Sequence, residues 1–578
     1  MGVRVETLRR YVFLPLLVTL VGCRGDPGSS PRSGIQSGPS SAETSNRLGP
    51  QSQAFLHTVL DAGNLPDLRW PDFTDYRYDL EKFYAGSGWT LVWVKEWRAT
   101  PQALALIASL QNAGEKGLAA DDYDGSRWSD RLARLPKEVS DSNEPDFVRF
   151  DIALTVSAMR YISDLHTGRV NPRRLDFAAD VAERKYNLPE FLREHVVQAP
   201  DIAAVLHQVE PSYPGYQRTI QALHRYREIA QIDDFETLPP IKRPIQPGES
   251  YRGIPQLARM LRLLGDLPEN APVEPDSLIH RRDLVEAVRH FQNRIGLISD
   301  GRIDAKTIAE LNVPLSKRIR QMELTLERWR WLPDEYQHSP IVVNIPEFRL
   351  RAYDDQMKIA VTMKVVVGEA YGHSTPIFMD QMRTVIFRPY WNVPSTIAQA
   401  EVIPNLKKDS NYLAEQDMEI VDSRENLVSA SVVTRKMIRE IQDEKLYVRQ
   451  RPGPKNSLGL IKFMFPNDYN VYMHGTPATE LFAKSRRDFS HGCIRLEEPA
   501  ELAAWVLRNN PDWDLDHIHE AMDGIDTIEV TLAHPIPVLI VYATVIVSED
   551  GLVHFYDDIY GHDAALDQVL VKGPPYPR

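Results

Sequence analysis

Cysteine is nearly absent from this chain. Among 578 residues there are two, Cys23 and Cys493. Two thiols cannot build a disulfide scaffold or a cysteine-rich zinc site. Long apolar runs are also missing from the start of the chain, where residues 11–22 (YVFLPLLVTLVG) fall short of the ~20 residues that a membrane-spanning helix needs. Positive charge is not in excess: Lys+Arg is 67 against Asp+Glu 80, a net charge of −13. Overall charge therefore offers no hold on a polyanion, and no nucleic-acid partner is expected. With 43% hydrophobic and 25% charged residues, the composition is that of ordinary globular protein, which excludes wholesale disorder, a collagen-like fibre and a multi-span membrane protein. At ~150 residues per domain, the length suggests about four domains.

Each cysteine then has to be accounted for alone. Arg4, Arg9 and Arg10 precede the apolar stretch 11–22, which ends in Leu20-Val21-Gly22-Cys23. A basic stretch, a short apolar stretch and then small residues is the layout of a secretory signal. The ending resembles a bacterial lipobox, in which the cysteine is lipidated and becomes the mature N-terminus. Residues 1–23 are expected to be a lipoprotein signal, with Cys23 the lipidation site. A plain signal peptide with an incidental cysteine is the alternative. Residues 24–53 are rich in Gly, Ser and Pro and are expected to be a flexible tether. The expected location is the bacterial cell envelope, facing the periplasm and lipid-anchored. Arg24 stands after Cys23 where an Asp would favour inner-membrane retention, which leans toward the outer membrane.

The rest of the chain divides by texture. Residues 54–240 read as a helical domain, with amphipathic spacing at Ala103, Leu104, Leu106, Ile107 and Leu110 and again at Ile152, Leu154, Val156, Met159, Ile162 and Leu165. Gly168 and Pro172 mark the end of the second helix. Residues 233–253, rich in Pro and acidic groups, read as a linker. In 254–315, Leu284, Val288 and Phe291 share a helical face, Asp300-Gly301 signals a turn, and Thr307, Ile308 and Leu311 begin another helical face. This unit resembles the three-helix peptidoglycan-binding module of cell-wall enzymes. Residues 316–335 read as a connecting helix whose Trp329 and Trp331 serve as a packing wedge. From Ile341 the sequence is short, β-branched and turn-bounded, as in strands. Residues 336–536 are expected to form a mainly-β domain interrupted by a cap-like insertion at 395–458. Residues 537–578 read as a strand hairpin, turning at Glu549-Asp550-Gly551, and a tail.

Chemistry concentrates in residues 471–499, VYMHGTPATELFAKSRRDFSHGCIRLEEP. A protonated thiol is a weak nucleophile, so a catalytic cysteine needs a base or cationic neighbours and space for a tetrahedral adduct. His474 and His491 are candidate bases for Cys493. Lys484, Arg486, Arg487 and Arg495 form a local basic cluster that would lower the thiol pKa. Gly492 allows close approach and leaves backbone N–H groups free for an oxyanion hole. Two His and one Cys could also ligate zinc, but the spacing suits catalysis better, so no metal and no cofactor are expected. A buried structural cysteine remains the bland alternative.

These residues carry a family likeness. His474-Gly475, fourteen residues, Ser490-His491-Gly492-Cys493 and then Ile494-Arg495 resembles the L,D-transpeptidases of the YkuD family. The strings LERWRWLP (326–333), RPYWNVP (388–394), IKFMFPN (461–467) and DGLVHFYDDIYGHD (550–563) resemble the large multidomain YcbB-like branch. Arg495 departs from the hydrophobic-then-Asn ending of smaller members. The resemblance implies an α+β multidomain fold with a helical N-terminal scaffold. It implies a peptidoglycan enzyme in which Cys493 attacks the amide before the terminal D-Ala of a tetrapeptide stem, forming a thioester. An amine of a second stem then attacks to give a 3–3 cross-link. His474 would be the general base, oriented by the Gly475 carbonyl, and the Cys493 N–H an oxyanion-hole donor. Ser490, His491, Gly492, Arg495, Tyr472 and Trp391 would contact substrate or support the loop. An L,D-carboxypeptidase using water, a sortase-type transpeptidase and a non-catalytic peptidoglycan-binding lipoprotein are the competing readings. The implied partners are peptidoglycan stem peptides and, through Cys23, a membrane.

Overall fold

The structure, a computed structural model, describes residues 48–576 apart from 179–183, 185, 233–235, 273–276, 334–338, 371 and 410. The expected signal segment 1–23 with Cys23, and residues 24–47 of the expected tether, lie outside the described residues.

The N-terminal helices follow from their caps and apolar spacing. Helix Pro101–Gln111 starts where Thr100 accepts the Ala103 N–H, and it buries Ala103, Leu106, Ile107 and Leu110; Leu104 is exposed. Helix Glu144–Thr167 opens with a proline and two acidic groups in its first turn and stops at Gly168, whose φ is +79°. The tether expected over 24–53 does not extend to residue 53. Helix Pro50–Ala62 begins inside it, and buried Ser52 and the Gly49 N–H both bond to the Glu144 carboxylate. A backbone held in this way cannot act as a loose leash.

Helices Ile254–Leu264, Arg282–Arg294 and Ala305–Leu311 enclose their own core of Leu257, Leu261, Leu284, Val288, Phe291, Ile308 and Leu311. The stretch before them is no free linker either. Leu238 and Tyr251 are buried in that core, and Ile245 pairs with Ile303. Proline removes helix and sheet partners but does not prevent packing. Helix Leu315–Trp329 follows, and Trp331 is buried edge-on against Phe177, the ring centroids 5.0 Å apart.

The second half is built on nine strands: β1 Ile341–Asn344, β2 Arg349–Tyr353, β3 Ile359–Gly368, β4 Phe378–Phe387, β5 Ile461–Met464, β6 Met473–His474, β7 Asp488–Ser490, β8 Ile494–Leu496 and β9 Ile528–Val541. Their order is β7-β3-β8-β6-β5-β4-β9-β1-β2, and β2 pairs back onto β3. The sheet thus closes on itself, which leaves few unpaired edges. A boundary at 536/537 would cut β9, whose Val538–Val541 pair with β1 in the main sheet. The C-terminal region is part of the core structure, with a hairpin Val545–Val547/Val553–Phe555 and a helix His562–Leu570 after it.

Between the adjacent antiparallel strands β4 and β5, residues 388–460 leave the sheet. They form an antiparallel sheet of their own, in the order Trp391–Asn392, Tyr447–Gln450, Met418–Val421, Leu427–Ser429. Its core holds Val402, Leu406, Leu413, Ile420 and Val448. The Asn456 amide ties the two ends of the excursion by donating to the Pro389 carbonyl at 3.0 Å.

Candidate active site

The site is made by strand register. Met473, Phe463 and Ile494 are paired neighbours on β6, β5 and β8, and all three are buried in the core. Side chains alternate along strands, so the residues between them lie on the opposite face. Lys462 is paired with His474, and His474 with Arg495, giving one row on that face. Tyr472 and Cys493 lie one residue before β6 and β8 and extend the same pairing, with the Ile494 N–H donating to the Tyr472 carbonyl at 3.1 Å. Cys493 therefore sits diagonally from His474, across neighbouring parallel strands.

His474 is buried, and its Nδ1 is 2.6 Å from the Gly475 carbonyl. A carbonyl only accepts, so Nδ1 carries the hydrogen and Nε2 offers a lone pair. Burial, then the Arg495 charge, push the imidazole down to about 3. The ring is neutral at working pH. Cys493 departs from the expectation of a depressed thiol pKa. Burial pushes it up, while the Tyr472 backbone and the Lys462 charge pull it back. Its Sγ makes a long contact, 3.9 Å, to the Asn470 carbonyl and also meets Tyr472.

The motif loop is braced from within. The Ser490 hydroxyl donates to the Cys493 carbonyl at 2.6 Å and accepts the Gly492 N–H. Gly492 has φ +112°, a conformation that side chains rarely adopt. Its carbonyl accepts the Thr375 hydroxyl at 2.8 Å, and Thr375 Oγ1 also accepts the Gly368 N–H. Gly368 is crowded: a Cβ there would meet the His373 carbonyl at 1.9 Å and Gly492 Cα at 3.0 Å. Ser490 thus supports the loop and has no free hydroxyl aimed at a ligand.

The proposed basic cluster largely dissolves. Arg486 is bound to Asp488, Lys484 lies over the Phe489 ring, and Arg487 donates to the Phe348, Val365 and Lys484 carbonyls. Only Arg495 acts on Cys493 electrostatically, joined by Lys462, which the motif reading missed. His491 Nε2 is 2.8 Å from Glu401 of the insertion, and its ring meets His373. It is engaged by the insertion. Tyr472 contacts Cys493 and the Trp391 side chain and holds the Lys462 ammonium 3.9 Å from its ring centroid. Among the described residues no cluster of His, Cys, Asp and Glu could hold a metal ion.

Residues 339–530 match the model of the L,D-transpeptidase catalytic domain, YkuD, and residues 78–223 match that of a scaffold domain. Residues 339–530 are a YkuD catalytic domain. A curated Haemophilus influenzae protein named "Putative L,D-transpeptidase" is 28% identical over 277 residues, 47% of this chain and 55% of that protein. The chain thus spans about half the length of that relative. A crystal structure of an L,D-transpeptidase (Yku) from Stackebrandtia nassauensis aligns at TM-score 0.20 with 11% identity, over 51% of this chain and 94% of that one; so low a score carries no argument. The YkuD match encloses the whole set Lys462, Tyr472, His474, Cys493 and Arg495, as well as the insertion that carries Trp391 and Glu401. Lys462 could have been suspected from the alternation of Ile461, Phe463 and Phe465, all buried, around it.

Proposed function

We propose that the protein is a peptidoglycan L,D-transpeptidase that forms 3–3 cross-links through a thioester on Cys493. The observation that carries this is the neutral, buried His474, whose Nδ1–H is fixed on the Gly475 carbonyl, on the same sheet face as the cysteine. The carbonyl selects the tautomer whose Nε2 can take a proton. Because both groups are neutral at rest, attack is general-base assisted and does not start from a preformed thiolate–imidazolium pair. As the Sγ–C bond forms, the thiol proton passes to His474 Nε2. When the C–N bond breaks, His474 returns that proton to the departing D-Ala amine. An amine of a second stem then attacks the thioester and loses its proton to His474, which passes it to the Cys493 sulfur as the C–S bond breaks. The Cys493 backbone N–H is the oxyanion donor, with Gly492 keeping the approach clear.

The insertion at 388–460 is a cap in this reading. Glu401 meets the catalytic loop at His491 and Trp391 meets Tyr472, so it borders the cleft and favours an amine over water. The helical unit at 254–315 would hold peptidoglycan, and a lipid on Cys23 would keep the enzyme in the envelope. L,D-carboxypeptidase action uses the same thioester with water as acceptor. The deciding experiment compares peptidoglycan fragments by mass with and without active enzyme, and with Cys493→Ala. Tripeptide-linked dimers that require Cys493 support cross-linking. Trimmed tripeptides without dimers favour hydrolysis, and dimers that persist in Cys493→Ala end the proposal.

A further inference from the structure

Two cations on the cysteine face are bonded to no carboxylate among the described residues. Lys462 and Arg495 flank His474 in register across three strands. At ~4.8 Å per strand, their Cα atoms stand about 10 Å apart with the imidazole between. Among the described residues neither makes an ion pair. Lys462 rests on the Tyr472 ring, and Arg495 senses Glu401 and Glu480 only electrostatically. Glu401 is itself engaged by His491. Elsewhere in this domain, arginines drawn in from solvent are answered: Arg449 by Glu419, Arg351 by Glu347, Arg487 by backbone carbonyls. Withdrawing a cation from water without a partner is unfavourable. Two of them beside a nucleophile and its base point to an anion supplied by the substrate.

We infer that Lys462 and Arg495 are a cradle for the terminal carboxylate of the residue that leaves, so that the enzyme reads a free C-terminus next to the bond it cuts. The inference rests on the transpeptidase reading. The leaving nitrogen must come within hydrogen-bond reach of His474 to receive its proton. In an α-amino acid the carboxyl carbon is two bonds from that nitrogen, within about 2.5 Å. The cations nearest to His474 across the sheet are its two in-register neighbours. A carboxylate farther from the scissile bond, such as one on the side chain of the third stem residue, is not tied to His474 in this way. Donors that end in a carboxamide would lose the charge-assisted hydrogen bonds while keeping the scissile amide unchanged.

The test uses the full chain and three synthetic tetrapeptide donors: the free acid, the C-terminal carboxamide, and the free acid with the third residue's side-chain carboxylate amidated. Release of the last residue, or its amide, is followed by mass spectrometry. The wild-type protein should prefer the free acid over the carboxamide by about 10- to 100-fold in kcat/KM, the worth of charge-assisted hydrogen bonds. Lys462→Met and Arg495→Gln should each bring that ratio down toward one. Equal rates with acid and carboxamide in the wild-type protein overturn the inference without needing any variant. So does a preference that survives in both variants, or one that follows the side-chain carboxylate. Failure of the wild-type protein to release the last residue from any donor instead overturns the transpeptidase reading.

Discussion

The resting state of the site predicts how Cys493 should respond to pH. In a preformed ion pair the thiolate persists well below neutrality, and alkylation runs on a plateau from about pH 5 to 8. Here the imidazole is pushed down to about 3 and the thiol up, burial being the first cause of each. A free thiol is ionised to only roughly 3% at pH 7, and Cys493 should fall below that. Its rate with iodoacetamide should climb close to tenfold per pH unit from pH 6 to 8, with no plateau. Lys462 lowers the thiol pKa, so Lys462→Met should slow alkylation at every pH in that range and shift the curve to higher pH. With the only other cysteine at position 23, a Cys23→Ser background isolates the signal. A plateau between pH 5 and 8, or a Lys462→Met curve displaced to lower pH, would refute the neutral-pair account.

Three further outcomes are expected. Glu327 is fully buried and accepts the Arg169 and Val170 N–H groups and Arg169 Nε–H; Glu327→Ala leaves the buried Arg169 with only a long 3.8 Å pairing to Asp122 and should destabilise by ~3–5 kcal/mol. Urea unfolding that shows less than about 1 kcal/mol would contradict this. Gly368→Ala drives a methyl into the His373 carbonyl and against Gly492 Cα, so the loop before Cys493 must move. Loss of release rate should reach ~100-fold for a shift of about an ångström, with circular dichroism unchanged; near-normal turnover would show that the loop tolerates it. Glu401→Gln cuts a half-exposed contact with His491, worth no more than about 1 kcal/mol. Thermal stability should hold while the ratio of hydrolysed to cross-linked product rises, and an unaltered ratio would remove the cap from the mechanism.

How much of this was legible in the chain depended on range. His474, Gly475 and Cys493 could be picked out because a cysteine, two histidines and the glycines between them fall within one short segment. Helix ends at Thr100 and Gly168 were written in local capping chemistry. Strand register is not local, and register is what brings Lys462 opposite His474 and turns Arg495 to the same face. The same limit hid Glu401, which meets His491 from the far side of an insertion. Composition misled where packing overrode it. Residues 50–53 look like tether yet enter a helix held by Glu144, and the Pro-rich run before 254 supplies Leu238 and Tyr251 to a core. The basic run 484–487 suggested thiol activation, but three of its cations are spent on the loop and its neighbours.

The contact between Tyr576 and Asp122 has a kinetic meaning. The Tyr576 hydroxyl donates to the Asp122 carboxylate across 454 positions, and Gly573 lies where any side chain would strike Trp70. Contacts so remote in sequence close late and slowly. The helical domain can gather its own core early, but its Asp122 surface stays unsealed until residues near 576 arrive. A chain emerging N-terminus first from the ribosome would pass through an open intermediate, and that is the stage at which chaperones or proteases would meet it.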